Sequence, residues 1–215
     1  VLFLQGGATM QFMQVPMNLL DENGLAAICD NGVWGNKAVK EASIFGPVKV
    51  VSDTSDKKHT YLNKTLAIPS NTTYVHITTN NTVEGTQWHS YPQTNALLVG
   101  DMSSDIFCRP TPFKQFDLIY AGAQKNMGAA GVTLVVVKKE ILGKVKRKIP
   151  AILDYQKAIP SDIREYEYAK GQGFEGTYQD WATKMANLKA PKTTIQMPNP
   201  AKEILDVDKE TLKGL

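Results

Sequence analysis

The sequence is poor in cysteine, in long apolar runs and in net charge, and each shortage closes off a class of function. Its two cysteines, Cys29 and Cys108, lie far apart with no Cys-x-x-Cys or Cys/His spacing around them. Neither a disulfide framework nor a zinc site is indicated, and an intracellular, reducing compartment is expected. The longest apolar stretches, such as Val132 to Val137, have the length of a strand. They fall far short of the roughly 20 residues that cross a bilayer, so no transmembrane segment is expected. The net charge is only +3, and it is uneven: Val1 to Val137 carries 9 Lys+Arg against 10 Asp+Glu, Lys138 to Leu215 carries 15 against 11. The densest basic stretch, "KKEILGKVKRK", reads as a solvated helix and loop, and no nucleic-acid partner is expected. Three Asn-x-Ser/Thr matches, beginning at Asn63, Asn71 and Asn80, matter only in a secreted protein. With no signal peptide visible they are read as chance.

What is present is a globular composition, 42% hydrophobic and 21% charged, long enough for an α/β domain with an appendage. Short apolar runs recur: "VLFLQ", "AAICD", "VKVVS", "YVHITT", "ALLVGD", "LIYAGA" and "VTLVVVKK". Several are continuous rather than alternating, the pattern of strands buried on both faces of a mostly parallel sheet. Between them, "ATMQFMQVPMNLL" and "VWGNKAVKEASIF" space their apolar residues as helices do. The opening "VLFLQGG" already lies inside a strand-like run, as the middle of a domain does. After Gly143 the texture changes and no segment reads as a buried strand. "PSDIREYEYAKGQGFEG" is polar and punctuated by glycine, while "TYQDWATKMANLKAP" sets Tyr178, Trp181, Met185 and Leu188 on one helical face. "NPAKEILDVDKETL" offers Asn199 as an N-cap and Pro200 as the first helical residue.

Ligands of open α/β sheets gather at the carboxyl ends of the strands, so the residues that follow each strand deserve comparison. "VLFLQ" runs into "GGATMQF", whose free N–H groups and helix start suit a phosphate, although tight turns use glycine without any such purpose. "AAICD" runs into "NGVWGNKA", where Trp34 is either core or a cover for a flat aromatic ligand. Thr82 follows "YVHITT", and Asp101 ends "ALLVGD", as a carboxylate for a ligand or as the cap of a turn. Lys125, in "AGAQKNMG", is either a solvated strand end or an amine held for chemistry. Together these parts match what pyridoxal phosphate needs: an amine for its aldehyde, a carboxylate for its ring nitrogen, an anion cradle and an aromatic cover.

The blocks "VLFLQGGATMQFMQVPMNLL", "HITTNNTVEGTQWHSYP", "LVGDMSSDIFCRP" and "DLIYAGAQKNMGAAGVTLVVVKKEILG" closely resemble the phosphoserine aminotransferases, a family of class V, fold-type I pyridoxal-phosphate enzymes. The resemblance runs in register from Val1 to about Tyr155. It implies an α/β fold with a mostly parallel sheet flanked by helices, incomplete at both ends, in which residues 1–155 form the cofactor-binding core and 156–215 a tail for docking or partner binding. It also implies pyridoxal 5'-phosphate as cofactor, Lys125 as the Schiff-base lysine and Asp101 as partner of the ring nitrogen. Trp34 becomes the stacking side chain and Thr82 the neighbour of the ring hydroxyl, with Ala8, Thr9 and Gln124 toward the phosphate.

Other family features have no match here: a histidine–arginine pair before the first block, an Asn-Thr pair that reaches the neighbouring subunit's cofactor phosphate, and a substrate-binding arginine near the C-terminus. Arg109 is no substitute for them. Beside a retained pyridoxal-phosphate binder with a narrower reaction, two expectations follow from the resemblance and its gaps. One is a phosphoserine aminotransferase of serine biosynthesis, homodimeric when complete, acting on phosphoserine and glutamate and inactive as these 215 residues alone. The other is a non-catalytic descendant serving as a structural subunit of a larger assembly.

Overall fold

The apolar runs assemble into one seven-stranded sheet in the order β1-β9-β8-β7-β4-β2-β3. The computed structural model describes residues 1–189, and the chain divides into two units, Val1–Pro160 and one beginning at Ser161. The strands are β1 (Leu2–Gln5), β2 (Leu25–Asp30), β3 (Val48–Asp53), β4 (Thr72–Thr78), β7 (Leu97–Asp101), β8 (Leu118–Gly122) and β9 (Val132–Val137). A two-stranded hairpin, β5 (Asn80–Asn81) with β6 (Thr86–Gln87), projects beyond the end of β4. From β3 through β8 the pairings are all parallel, while β9 runs antiparallel to β8 and to β1. The expected mostly parallel sheet is therefore present.

Alternation along each strand supplies two cores. On one face Ala26, Ile28, Tyr74, Val99, Leu118 and Tyr120 pack under two helices. These are α1 (Thr9–Leu19), which buries Phe12, Val15 and Leu19 at helical spacing, and α2 (Val33–Ala42), which buries Ala38 and Ala42. On the other face Ala27, Cys29, Val75, Ile77, Ile119 and Ala121 meet Trp88, Met102, Ile106 and Phe116, which come from connecting segments. Burial on both faces is why these strands read as unbroken apolar runs.

The chain after β9 returns to α1. Ile141, Leu142 and Tyr155 join the first core. Asp154 caps α3 (Tyr155–Ala158), its carboxylate accepting from the Gln156 N–H. The Asn18 amide donates to the carbonyls of Gln14 and Leu153 and accepts from the Tyr155 N–H at 3.0 Å. Gln14 also donates to the Leu153 carbonyl and accepts from Gln11, whose carbonyl oxygen takes the Tyr155 hydroxyl. In the basic stretch the solvated reading fails at the buried Ile141 and Leu142 and at one charged residue. Arg147 is half-buried and donates to the carbonyls of Leu20 and Phe45, covering the ends of two segments that the fold leaves open.

The second unit contains α4 (Ser161–Gly171) and α5 (Tyr178–Lys189). A helix at α4 was not legible, because its polar residues give little amphipathic stripe. Thr177 and Asp180 form a reciprocal cap at the start of α5: the Asp180 N–H donates to the Thr177 hydroxyl and the Thr177 N–H to the Asp180 carboxylate. Tyr166 stands edge-on to Phe174 and Tyr178, and Trp181 is buried beside it. Of the expected face, Met185 is half-buried and Tyr178 is 37% exposed. The Leu188 side chain and the Asn199–Pro200 helix start lie outside what the structure describes.

Candidate active site

The carboxyl ends of β4, β7 and β8 and the start of α1 meet in one cleft. Five of the sequence-predicted residues of the α1 start and strand ends line it: Ala8, Thr9, Asp101, Gln124 and Lys125; Trp34, from α2, completes its wall. A larger depression of about 510 Å³ lies at the amino ends of β4 and β7, around Leu66, Thr72 and Ala96. No ionisable side chain lines it, so chemistry belongs to the smaller cleft.

The α1 end of the cleft is built from backbone. The helix begins after Ala8 with no side-chain cap and no acidic residue in its first turn; the Met10 and Gln11 N–H groups donate to the Gly7 and Ala8 carbonyls, which leaves the Ala8 and Thr9 N–H groups and the positive dipole end for an anion. This start is pressed close to β8. A Cβ on Gly122 would lie 3.0 Å from the Ala8 nitrogen, so any larger residue there would press the two backbones apart by a few tenths of an ångström.

Asp101 ends β7 and is 5% exposed. One of its carboxylate oxygens accepts from the Ser103 N–H at 3.0 Å and from the Ser103 hydroxyl at 2.6 Å. That serine in turn accepts from the Gly122 N–H, tying β7 to β8. Burial pushes the Asp101 carboxyl up to about 6, against the opposing pull of Ser103 and of the Lys125 charge, with Asp105 adding to the rise. Lys125 and Gln124 are exposed at the rim. Trp34 is half-buried, with the Lys37 ammonium 4.6 Å from its ring centroid.

Several residues of the cleft were not singled out from sequence. Thr78, the register partner of Asp101 on β4, lines it with a buried hydroxyl that has no hydrogen-bond partner among the described residues. Asn80, Ser103 and Ser104 line it too, the Asn80 amide donating to the Ser104 hydroxyl at 2.9 Å. Thr82, by contrast, is exposed on the turn between β5 and β6 and is not part of the lining. The same turn carries Glu84, whose carboxylate accepts from the Val33 N–H at 2.8 Å at the start of α2. Gly32 has φ +149°, and a Cβ there would fall 2.3 Å from the Glu84 carboxyl carbon, so glycine makes this contact possible. The hairpin is thereby fastened beside Trp34. Arg109 is spoken for elsewhere: it donates to the Trp88 carbonyl and sits 3.6 Å from the Asp105 carboxylate.

Comparison with known proteins bears on what such a cleft holds. A profile of the family described as Aminotransferase class-V matches residues 1–151. The chain is 55% identical over 161 residues to the phosphoserine aminotransferase of Flavobacterium johnsoniae, covering 75% of this chain and 45% of that protein. It is 48% identical over 159 residues to that of Halalkalibacterium halodurans, covering 73% and 44%. Among solved structures it is similar to phosphoserine aminotransferase from Bacillus circulans subsp. alkalophilus, with a TM-score of 0.71 and 40% identity over 74% of this chain and 45% of that one. It also resembles a pyridoxal-phosphate-bound phosphoserine aminotransferase from Trichomonas vaginalis, with a TM-score of 0.64 and 28% identity over 74% and 46%. The chain thus spans less than half the length of the curated relatives it matches.

Proposed function

The chain belongs to the aminotransferase class-V family, and from that premise we propose that its cleft holds pyridoxal 5'-phosphate for amino transfer between phosphoserine and 2-oxoglutarate. The observation that carries this reading is convergence. A buried carboxylate, a rim lysine, a half-buried indole and an uncapped helix start come from four separate stretches of sequence and line one cleft. The donor set suits the group: N–H groups for a phosphate, a carboxylate for a pyridine nitrogen, and in Thr78 a buried hydroxyl still lacking a partner.

When bound, the cofactor supplies an electron-withdrawing ring that accepts the charge developing at the amino acid's α carbon. The protein's part is to hold and to move protons. Asp101, as a carboxylate, would hold a proton on the ring nitrogen. Lys125 would supply the amine for the aldehyde and the group that moves a proton. The start of α1, with Ala8 and Thr9, would take the phosphate together with Gln124, and Trp34 would cover one face of the ring. Thr82, expected beside the ring hydroxyl, lies on the exposed β5–β6 turn outside the lining.

Lys125 is the one cation that lines the cleft among the described residues, whereas the substrates carry a phosphate and carboxylates. Their charge calls for further cations from beyond this lining, and a second subunit of a homodimer is our proposed source. The free thiols of Cys29, pushed up to about 12 by burial, and of exposed Cys108 suit an intracellular, reducing compartment. Among the described residues no helix is long and apolar enough to cross a membrane.

The test is uptake of pyridoxal phosphate, followed by its visible absorbance and by borohydride fixation to a peptide containing Lys125. Wild-type protein should be labelled and Lys125→Ala should not. Labelling of Lys125→Ala at another lysine, or no uptake by wild type, overturns the reading. Transfer from phosphoserine to 2-oxoglutarate, compared with other amino donors, tests the substrate assignment. The unit from Ser161 onward lies outside the matched residues and favours a second reading, in which it docks this domain as a non-catalytic subunit. Co-purification with a partner in the absence of cofactor uptake supports that one.

A further inference from the structure

Trp34 and Asp101 enter the cleft from different elements, α2 and β7. A flat ring held by a carboxylate at its edge and an indole over its face needs the two at a fixed separation. The β5–β6 hairpin is fastened beside each of them.

At its base the hairpin continues β4 and is tied to β7. The Thr79 N–H donates to the Asp101 carbonyl at 3.0 Å, and the Thr79 hydroxyl lies within hydrogen-bond distance of that oxygen and of the Asp105 carboxylate. The Asn80 amide donates to the Ser104 hydroxyl at 2.9 Å, and that hydroxyl donates to the Asn80 carbonyl at 3.0 Å. On the return Gln87 donates to Asp105 at 3.2 Å, the Trp88 N–H donates to the Thr79 carbonyl at 2.8 Å, and the Trp88 ring is buried in the second core. The turn itself is closed by the Gly85 N–H on the Asn81 carbonyl and by the Asn81 amide on the Thr86 hydroxyl.

At its tip the hairpin holds α2. Helices are ordinarily capped by Ser, Thr, Asp or Asn at the residue before the first turn. Here that residue is Gly32, and the cap arrives from 51 residues away, as the Glu84 carboxylate that accepts from the Val33 N–H at 2.8 Å. Its other oxygen is buried, with no second partner among the described residues. The far side of the same helical turn is fixed to β2. Asn36 donates to the Asp30 carboxylate at 3.0 Å, and a Cβ on Gly35 would fall 2.5 Å from the Cys29 carbonyl oxygen. Trp34 thus stands between an anchor on β2 and an anchor on the hairpin.

We propose that the β5–β6 hairpin is a strut between β7 and α2, and that Glu84 at its tip is a positioning residue that holds the first turn of α2, and with it the Trp34 indole, in place relative to Asp101. The proposal rests on the reading of Trp34 as the cover of the ligand's ring. Glu84 does not line the cleft, so its effect passes through Val33 to Trp34.

The experiment uses the full chain and begins without cofactor. Hydrogen exchange read by NMR should find the Val33 amide protected in wild type and nearly as well in Glu84→Gln, whose side-chain carbonyl still accepts. In Glu84→Ala it should exchange at least about tenfold faster. Nitrogen-15 relaxation of the Trp34 indole N–H should give an order parameter of about 0.85 in wild type and Glu84→Gln, falling below about 0.6 in Glu84→Ala. The melting temperature should drop by no more than about 4 °C. Titration with pyridoxal 5'-phosphate then reads the consequence, with affinity weakened about tenfold in Glu84→Ala and less than about threefold in Glu84→Gln.

An unprotected Val33 amide in wild type, or an indole as well ordered in Glu84→Ala as in wild type, overturns the strut. A loss of stability with the indole unmoved makes Glu84 an ordinary helix cap and overturns it too, as do equal cofactor affinities in wild type and Glu84→Ala. If Glu84→Ala fails to fold, Glu84→Asp, one methylene short of Val33, gives the same comparison. The exchange and relaxation arms need no cofactor, so wild type that takes up no pyridoxal phosphate overturns the functional reading while those two arms still decide the strut.

Discussion

Two sets of buried polar side chains sit on the same face of the sheet and have opposite characters. Between α1 and the chain around Tyr155, the side-chain nitrogen and oxygen atoms of Gln14 and Asn18 all have partners, and the Tyr155 hydroxyl is taken up by Gln11. At the carboxyl ends of β4, β7 and β8 the Thr78 hydroxyl and Nδ1 of His76 have none, and Asp101 is held as a carboxylate against its own burial. The first set is closed and can only hold structure. The second is open where Thr78 lines the cleft, and that unmet hydroxyl is what a ligand can use.

The sharpest way to break the comparison is at the rim. Lys125→Ala should abolish covalent cofactor labelling while leaving the ligand-free melting curve close to wild type, because the side chain is exposed. A large loss of stability would mean that Lys125 belongs to the closed set.

Asn18→Ala attacks the closed set itself. It strands the Tyr155 N–H and removes two donations to carbonyls, which should cost about 2–3 kcal/mol in urea unfolding. No pH dependence is expected from a group that does not titrate.

Asp101→Asn should act in the other direction. Its folded pKa, about 6, lies above the ordinary 3.8, so the folded state binds the proton more tightly. The native form is favoured by this group below pH 3.8 and loses that advantage as pH rises through about 6. Removing the charge should therefore stabilise ligand-free protein by about 2–3 kcal/mol at pH 8 and by little at pH 4. His76 has the opposite slope: its folded pKa, about 4, lies below 6.5, so its contribution is present above pH 6.5 and lost toward pH 4. The two trends offset one another in wild type. Asp101→Asn should expose the histidine, giving a variant that loses stability with acid more steeply than its parent between pH 6.5 and 4.

The smallest test uses two threonines. The Thr133 hydroxyl donates to the Gly6 carbonyl at 2.9 Å, whereas that of Thr78 has no partner. Thr133→Val should destabilise by about 1 kcal/mol, and Thr78→Val should be neutral or stabilise by less than about 1 kcal/mol. Equal effects at the two sites would erase the distinction between closed and open sets.

The sheet was legible because burial on both faces writes itself into sequence as runs such as "LIYAGA" and "VTLVVVKK". Asp101 and Lys125 were legible because charge at a strand end stands out against apolar neighbours. Thr78 was not, since a threonine inside "YVHITT" reads as a strand former and nothing local shows that its hydroxyl lacks a partner. Glu84 was hidden for another reason: its contact with Val33 joins segments far apart in the chain, and an acidic residue in a turn ordinarily faces water. The link of Asn18 to Leu153 and Tyr155, and that of His76 to Tyr120, are hidden in the same way. Thr82 shows the converse, being conspicuous in sequence yet exposed on the hairpin turn.

The place of β1 has a kinetic meaning. Leu2 pairs with Val135 and Gln5 with Val132, so this edge of the sheet closes only when segments more than a hundred residues apart have met. Joining such distant segments costs about 4 kcal/mol of chain entropy before any contact repays it, whereas β2 through β4 join near neighbours in sequence. The glycine turn after β1 is tied to the same late event, since the Gly6 N–H donates to the Gly131 carbonyl. The cradle for an anion should thus be the last part of the fold to form, with the Gly6 amide among the last protected in pulsed hydrogen exchange during refolding. A ligand held there would bind only chains whose folding is finished, and would draw the remainder toward completion.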